Sequence, residues 1–182
     1  MVVLINGSFG IGKTTTAKLL RDALPGSAIY GPELVGLVLM RVGKLFRLTG
    51  AGTGDFQDMP LWRRSVAAGT RWLGRFISGP VIVPMTFSHR NYFDEIVSDL
   101  RGRGLEPAVF CLRASLLTIE KRLERRNLDP DGREAIWLAR RVRECVEAHR
   151  DDYFGEPVDT EDRSALEVTD EILRRIGTSK AR

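Results

Sequence analysis

The chain lacks the features that mark several protein classes. Its 182 residues hold two cysteines, Cys111 and Cys145. Their spacing fits neither a disulfide framework nor a metal site, so both read as structural thiols, and a reducing cytoplasm is expected. No apolar run approaches the roughly 18 residues of a membrane span. The start, Met1-Val2-Val3-Leu4, has no basic leader before its apolar stretch, so a signal peptide is not expected. No internal repeat, low-complexity tract or interdomain linker interrupts the pattern. The hydrophobic fraction of 43% and the charged fraction of 29% are ordinary for a globular chain of this length. One domain spanning residues 1–182 is expected.

The charge has one bias. Arginine supplies 23 of the 28 basic residues, and the net charge is +4. Seven basic residues but two acids lie between Arg41 and Arg75, which suits an anionic partner and equally well a solvated helix face. A nucleic-acid surface needs a denser stripe with interleaved aromatics, so no nucleic-acid partner is expected.

Against this background one motif stands out. Gly7-Ser8-Phe9-Gly10-Ile11-Gly12-Lys13-Thr14 reads G-x-x-x-x-G-K-T, the phosphate-binding P-loop. It follows the apolar run Val2-Val3-Leu4-Ile5 and precedes a helical stretch, Thr14–Leu24, which is the strand–loop–helix context the motif requires. Its glycines permit a turn in which backbone N–H groups, here from Gly7 to Thr15, converge on an anion. The new helix adds the positive end of its dipole. Lys13 is placed to reach the β- and γ-phosphates of ATP, and the Thr14 hydroxyl to ligate Mg²⁺.

Apolar strand candidates recur at Val2–Asn6, Ser27–Tyr30, Val81–Met85, Pro107–Leu112 and Pro157–Thr160. Helical stretches at Thr14–Leu24, Glu33–Leu45, Leu61–Phe76, Tyr92–Arg101, Leu116–Arg126, Glu134–Arg150 and Ala165–Ile176 separate or follow them. The alternation predicts an α/β fold: a five-stranded parallel sheet with helices on both faces. Ligands in such folds sit beyond the carboxyl ends of the strands. That rule singles out the segments leaving each strand, including Gly31-Pro32-Glu33, Thr86-Phe87-Ser88-His89-Arg90 and Thr160-Glu161-Asp162-Arg163.

The strand Val81–Thr86 ends without an aspartate or glutamate, which weighs against a motor or helicase and favours a small-molecule or nucleotide kinase. The arginines agree. Arg122 and Arg126 lie four apart, on one helical face, and a polar break and a second arginine-rich helix with Arg140, Arg141 and Arg143 follow. The segment 122–143 resembles the lid of adenylate and shikimate kinases. That resemblance implies Arg122 against the adenine and Arg126 on the phosphates.

A kinase acting on a hydroxyl needs a carboxylate near the γ-phosphate. Glu33, Asp55 and Asp58 are the candidates. Asp58 serves equally well as a helix cap before Pro60, and Glu33 as a first-turn acid.

Beyond the P-loop, the stretches Tyr30-Gly31-Pro32-Glu33-Leu34-Val35-Gly36, Asp55-Phe56-Gln57-Asp58-Met59-Pro60-Leu61-Trp62-Arg63, Val83-Pro84-Met85-Thr86 and Arg113-Ala114-Ser115 are more particular. With them the chain resembles the bacterial tunicamycin resistance proteins over nearly its whole length. That family tends to read Asp-Pro-Glu where this chain has Gly31-Pro32-Glu33, so the base falls to Glu33, Asp55 or Asp58. The resemblance implies ATP-dependent handling of a nucleoside antibiotic, by phosphorylation or by sequestration. It also implies peripheral membrane contact in some members through a C-terminal amphipathic helix. Here Ala165–Ile176 carries several acids and reads as an ordinary packed helix. A kinase for an ordinary metabolite or nucleotide is the remaining alternative.

Overall fold

A computed structural model describes residues 1–32, 56–125 and 133–179. Strand β1 (Val2–Gly7) is buried along its full length. Loop residues 8–12 lead into helix α1 (Lys13–Ala23) and then β2 (Ala28–Ile29). Beyond the residues not described come a 3-10 turn (Phe56–Asp58), α2 (Pro60–Leu73), β3 (Val81–Pro84), α3 (Arg90–Gly102) and β4 (Pro107–Arg113). Next come α4 (Leu116–Glu124), α5 (Arg133–Ala148), a second 3-10 turn (Asp152–Phe154), β5 (Glu156–Asp159) and α6 (Ala165–Ser179).

The five strands form one parallel sheet in the order β2-β3-β1-β4-β5. Alternate residues of β1 feed opposite faces, as the period of a strand dictates. Val2 and Leu4 join a core with Trp62, Val66 and Ala67 of α2 and Phe93, Ile96, Val97 and Leu100 of α3. Val3 and Ile5 join a second core with Ala17 and Leu20 of α1, Ile119 of α4, Val142 of α5 and Val168, Ile172 and Ile176 of α6. Helices therefore cover both faces, which is why the central strands read as continuous apolar runs rather than alternating ones. Truncating a fully buried side chain such as Leu20 destabilises such a core by about 2–5 kcal/mol.

The expected strands are all present, with shifts at the edges. β2 is two residues long rather than four, and β5 starts and ends one residue earlier than expected. β5 buries Val158 alone, as an edge strand needs less apolar surface. The helix expected at Glu33–Leu45 lies outside the described residues. α3 starts two residues before the expected Tyr92, at Arg90, because His89 in extended conformation takes the cap position. Cys111 and Cys145 are both buried and not joined in a disulfide, and burial pushes the Cys111 thiol up to about 11, so it is protonated and inert at neutral pH.

Candidate nucleotide and acceptor site

The loop between β1 and α1 sits at the carboxyl end of the central strand. Gly12 caps α1 with φ 112°, a left-handed conformation that side-chain-bearing residues rarely adopt. Gly10 is needed for space as well: a Cβ there would lie 2.8 Å from Cγ of Leu123 on α4. The Ile11 N–H donates to Ser8 O at 3.3 Å and closes the turn. The first N–H groups of α1 have no partner within their own helix and face the loop, the arrangement that holds an oxyanion.

Lys13 is nearly buried and donates to the carbonyls of Gly7 at 3.0 Å and Ser8 at 2.9 Å, with the Phe9 ring 5.5 Å away. Those carbonyl contacts hold the ammonium at the mouth of the loop, where a phosphate oxygen can take their place. Thr14 and Thr15 are exposed at the helix start. The residues therefore fit a magnesium nucleotide. Gly7 to Thr15 would form its cradle, Lys13 would supply the cation, and the exposed Thr14 hydroxyl would be the group to meet Mg²⁺. Among the described residues no cluster of three or more His, Cys, Asp or Glu could hold a metal ion.

A cavity of about 290 Å³ runs on from Gly10–Gly12, past Thr15 and Thr16 on α1, to Arg122, Thr160 and Arg163. Arg122 is fixed there. Its guanidinium donates to Thr160 O at 2.7 Å, to Thr160 Oγ1 at 3.0 Å and to Ile11 O at 3.3 Å. Arg122 thus ties the last turn of α4 to both the loop and the exit of β5. Glu161 anchors the same corner: it accepts from the Thr118 hydroxyl and from the Ser115 N–H at 2.7 Å, and these bonds hold its carboxyl below the usual range. Arg126 and residues 127–132 lie outside the described residues. Of the arginines on α5, Arg140 and Arg141 both pair with Glu144, at 3.6 Å and 2.5 Å.

The loop tip meets α5 too. The Phe9 ring packs edge-on against Trp137, with centroids 5.7 Å apart. Three successive loop residues, Phe9, Gly10 and Ile11, thus touch Trp137, Leu123 and Arg122 of the helices that flank residues 126–132.

On the other side of the loop, Pro32 O accepts from Trp62 Nε1 at 2.8 Å, and the Tyr30 hydroxyl donates to Ser65 O at 3.1 Å. These bonds fasten the exit of β2 to α2. Asp58 is not the helix cap: Met59 holds that position, and the Asp58 carboxylate accepts from the Tyr92 hydroxyl at 2.9 Å. Arg63 is buried beside them. It bonds to Glu95 at 2.6 Å and to Gln57 O at 2.6 Å, and stacks over the Tyr92 ring at 4.3 Å. The candidates Glu33 and Asp55 lie outside the described residues. His89 is exposed, its ring 5.3 Å from that of Tyr92.

One group at the centre escaped the sequence reading. Asn6, the residue before the P-loop, accepts from the Phe87 N–H at 2.8 Å. His149, at the end of α5, lies 2.6 Å from Phe87 O and 3.3 Å from Asn6 Nδ2 through its Nε2. The short contact to a carbonyl assigns the proton to Nε2. Burial lowers the pKa of His149 to about 4, so the ring is neutral at pH 7. No local signal marks this histidine, since it is 143 residues from Asn6.

No protein-family model matches the chain, and no curated protein matches it in sequence. Solved structures do. The tunicamycin resistance protein of Deinococcus radiodurans is 29% identical, with a TM-score of 0.75 over 97% of this chain and 96% of that one. A gluconokinase of Sinorhizobium meliloti 1021 is 18% identical with a TM-score of 0.63, covering 93% and 87% of the two chains. A shikimate kinase of Bacteroides thetaiotaomicron is 19% identical with a TM-score of 0.58, covering 97% of each. The last two share the fold: a kinase-like P-loop sheet. The resemblance to tunicamycin resistance proteins carried by the sequence motifs thus extends over almost the whole architecture.

Proposed function

We propose that this chain is a single-domain, magnesium-ATP-dependent phosphotransferase that acts on a nucleoside antibiotic of the tunicamycin kind and works in the cytoplasm. The observation that carries the reading is the continuity of the P-loop with the cavity at Arg122, Thr160 and Arg163, which gives a nucleotide both a phosphate cradle and a place for its base. In this reading Gly7 to Thr15 bind the phosphates. Lys13 neutralises charge on the transferred group and Thr14 holds Mg²⁺. Arg122 lies beside the base, and Arg126, on a lid of about residues 122–143, reaches the phosphates. Phosphoryl transfer relies on positioning and electrostatics, which is what these residues supply. Glu33, Asp55 and Asp58 are the candidate bases for the acceptor hydroxyl; Asp58 stands where Tyr92 orients it.

The similarity to a tunicamycin resistance protein, rather than to a protein named as a kinase of the drug, favours a second reading: ATP-dependent binding that sequesters the drug without transfer. Mass spectrometry of tunicamycin incubated with the protein and Mg-ATP separates the two. Phosphotransfer adds one phosphoryl group to the drug, and Lys13→Ala lowers that yield by about 10²-fold or more. Unmodified drug whose affinity rises with ATP establishes sequestration. Unmodified drug with no change in affinity excludes both, and phosphoryl transfer to nucleoside monophosphates then becomes the assay for a metabolite kinase.

A further inference from the structure

A second cavity, of about 380 Å³, opens at the exit of β4, between the start of α4 and the end of α5. It shares no lining residue with the nucleotide-side cavity. Leu112, Leu116, Ile119 and Val146 make most of its wall apolar, and Ser8, Arg113, Ser115, His149 and Arg150 are its polar lining residues. Ser8 is 1% exposed, and its Oγ has no hydrogen-bond partner. The Nε of Arg113 is likewise buried and has no acceptor within hydrogen-bond distance, although its guanidinium lies close enough to the Cys111 thiol to interact with it. A buried hydroxyl and a buried guanidinium N–H without an acceptor are costly.

We propose that this chamber is a ligand site for a small amphiphilic carboxylate, whose apolar body fills the space between α4 and α5 and whose oxygens accept from Ser8 Oγ and Arg113 Nε. A carboxylate matches an N–H that only donates and a hydroxyl that can donate, and the guanidinium makes the bond charge-assisted. The other side of the Arg113 guanidinium is held by Asp151 O and by the exposed Asp152 carboxylate at 3.0 Å, so Nε stays aligned. Arg150, exposed at the rim, carries a second guanidinium, which pairs with the equally exposed Glu147 at 3.1 Å. His149 in the wall is neutral at pH 7 and opposes nothing. Glu161, the acid nearest the start of α4, has its oxygens engaged by Ser115 and Thr118.

The site bears on the P-loop, because the carbonyl of the same Ser8 holds Lys13 Nζ and the Ile11 N–H. An occupant bonded to Ser8 is therefore coupled to phosphate binding, and the coupling is reciprocal.

The test uses hexanoate as probe and the full chain without nucleotide, so its outcome is independent of the nucleotide reading. Saturation-transfer NMR and calorimetry are expected to show millimolar or tighter binding of hexanoate, and binding of hexylamine at least about tenfold weaker. Val146→Trp fills the chamber and should abolish hexanoate binding while circular dichroism shows the fold intact. Ser8→Ala should weaken binding severalfold. No hexanoate binding up to about 10 mM, equal binding of hexylamine, or undiminished binding by folded Val146→Trp each overturns the proposal. If Val146→Trp does not fold, Val146→Phe serves in its place, and the comparison of the two probes on the unaltered chain decides by itself.

Discussion

The two sides of the P-loop are built by different means. The nucleotide side begins as one contiguous segment, residues 2–23, in which backbone conformation does most of the work: a buried strand, a left-handed Gly12 and the first N–H groups of α1. The acceptor side is assembled from side chains distant in sequence. Trp62 reaches Pro32 across 30 positions, Arg63 reaches Glu95 across 32, and Tyr92 reaches Asp58 across 34. A backbone cradle tolerates substitution of most neighbouring side chains, whereas a side-chain assembly falls with any member. A family can therefore keep the first and rebuild the second, which fits a fold shared with a gluconokinase and a shikimate kinase at 18–19% identity.

The largest test addresses the group that joins the two sides. His149 bonds to the exit of β3 and lies beside Asn6, and its pKa falls from the usual 6.5 to about 4. Above pH 6.5 it is neutral whether the chain is folded or not. As pH falls from 6.5 toward 4 the unfolded chain takes up the proton first, so stability is lost across that window, by about 3 kcal/mol in all. Urea unfolding from pH 7.5 to 4.5 is expected to show this slope for the wild type and a flatter one for His149→Gln; equal slopes would separate His149 from the junction.

The next sharpens the contrast from the acceptor side. Arg63→Ala removes a buried guanidinium from Glu95, Gln57 O and the Tyr92 ring. It should cost about 2 kcal/mol of stability yet leave ATP affinity within about twofold. A large fall in ATP affinity would mean that the two sides are one cooperative unit. The smallest effect comes from the nucleotide side. Arg122→Ala cuts the bonds to Thr160 and Ile11 and should weaken ATP binding about tenfold, about 1.4 kcal/mol, with drug affinity in the absence of nucleotide unchanged. Equal losses for both ligands would break the comparison.

The same contrast explains what could be read in advance. The P-loop, the parallel sheet and the two helical layers were legible because each rests on a local pattern: a spaced motif, or an apolar run of strand or helix length. Arg122 was expected against the adenine through likeness to kinase lids, and it lines the cavity that runs on from the loop. Asp58 was open between cap and acceptor, and the structure removes the cap. The convergence of Asn6 and His149 on Phe87, and the packing of Phe9 on Trp137, left no trace in spacing, because helix α5 crosses back over the loop from far along the chain. Unsatisfied groups such as Ser8 Oγ were equally invisible, since sequence shows donors but not whether they find acceptors.

The position of β1 has a consequence for biosynthesis. The strand that bears the P-loop is made first but lies in the middle of the sheet, and its two neighbours are Val81–Pro84 and Pro107–Arg113. At roughly 5–20 residues per second, the ribosome needs several seconds to deliver even the first of them. For that interval the nascent chain carries the run Val2-Val3-Leu4-Ile5 with no partner on either edge, a natural client for chaperones that bind extended apolar segments close to the exit tunnel.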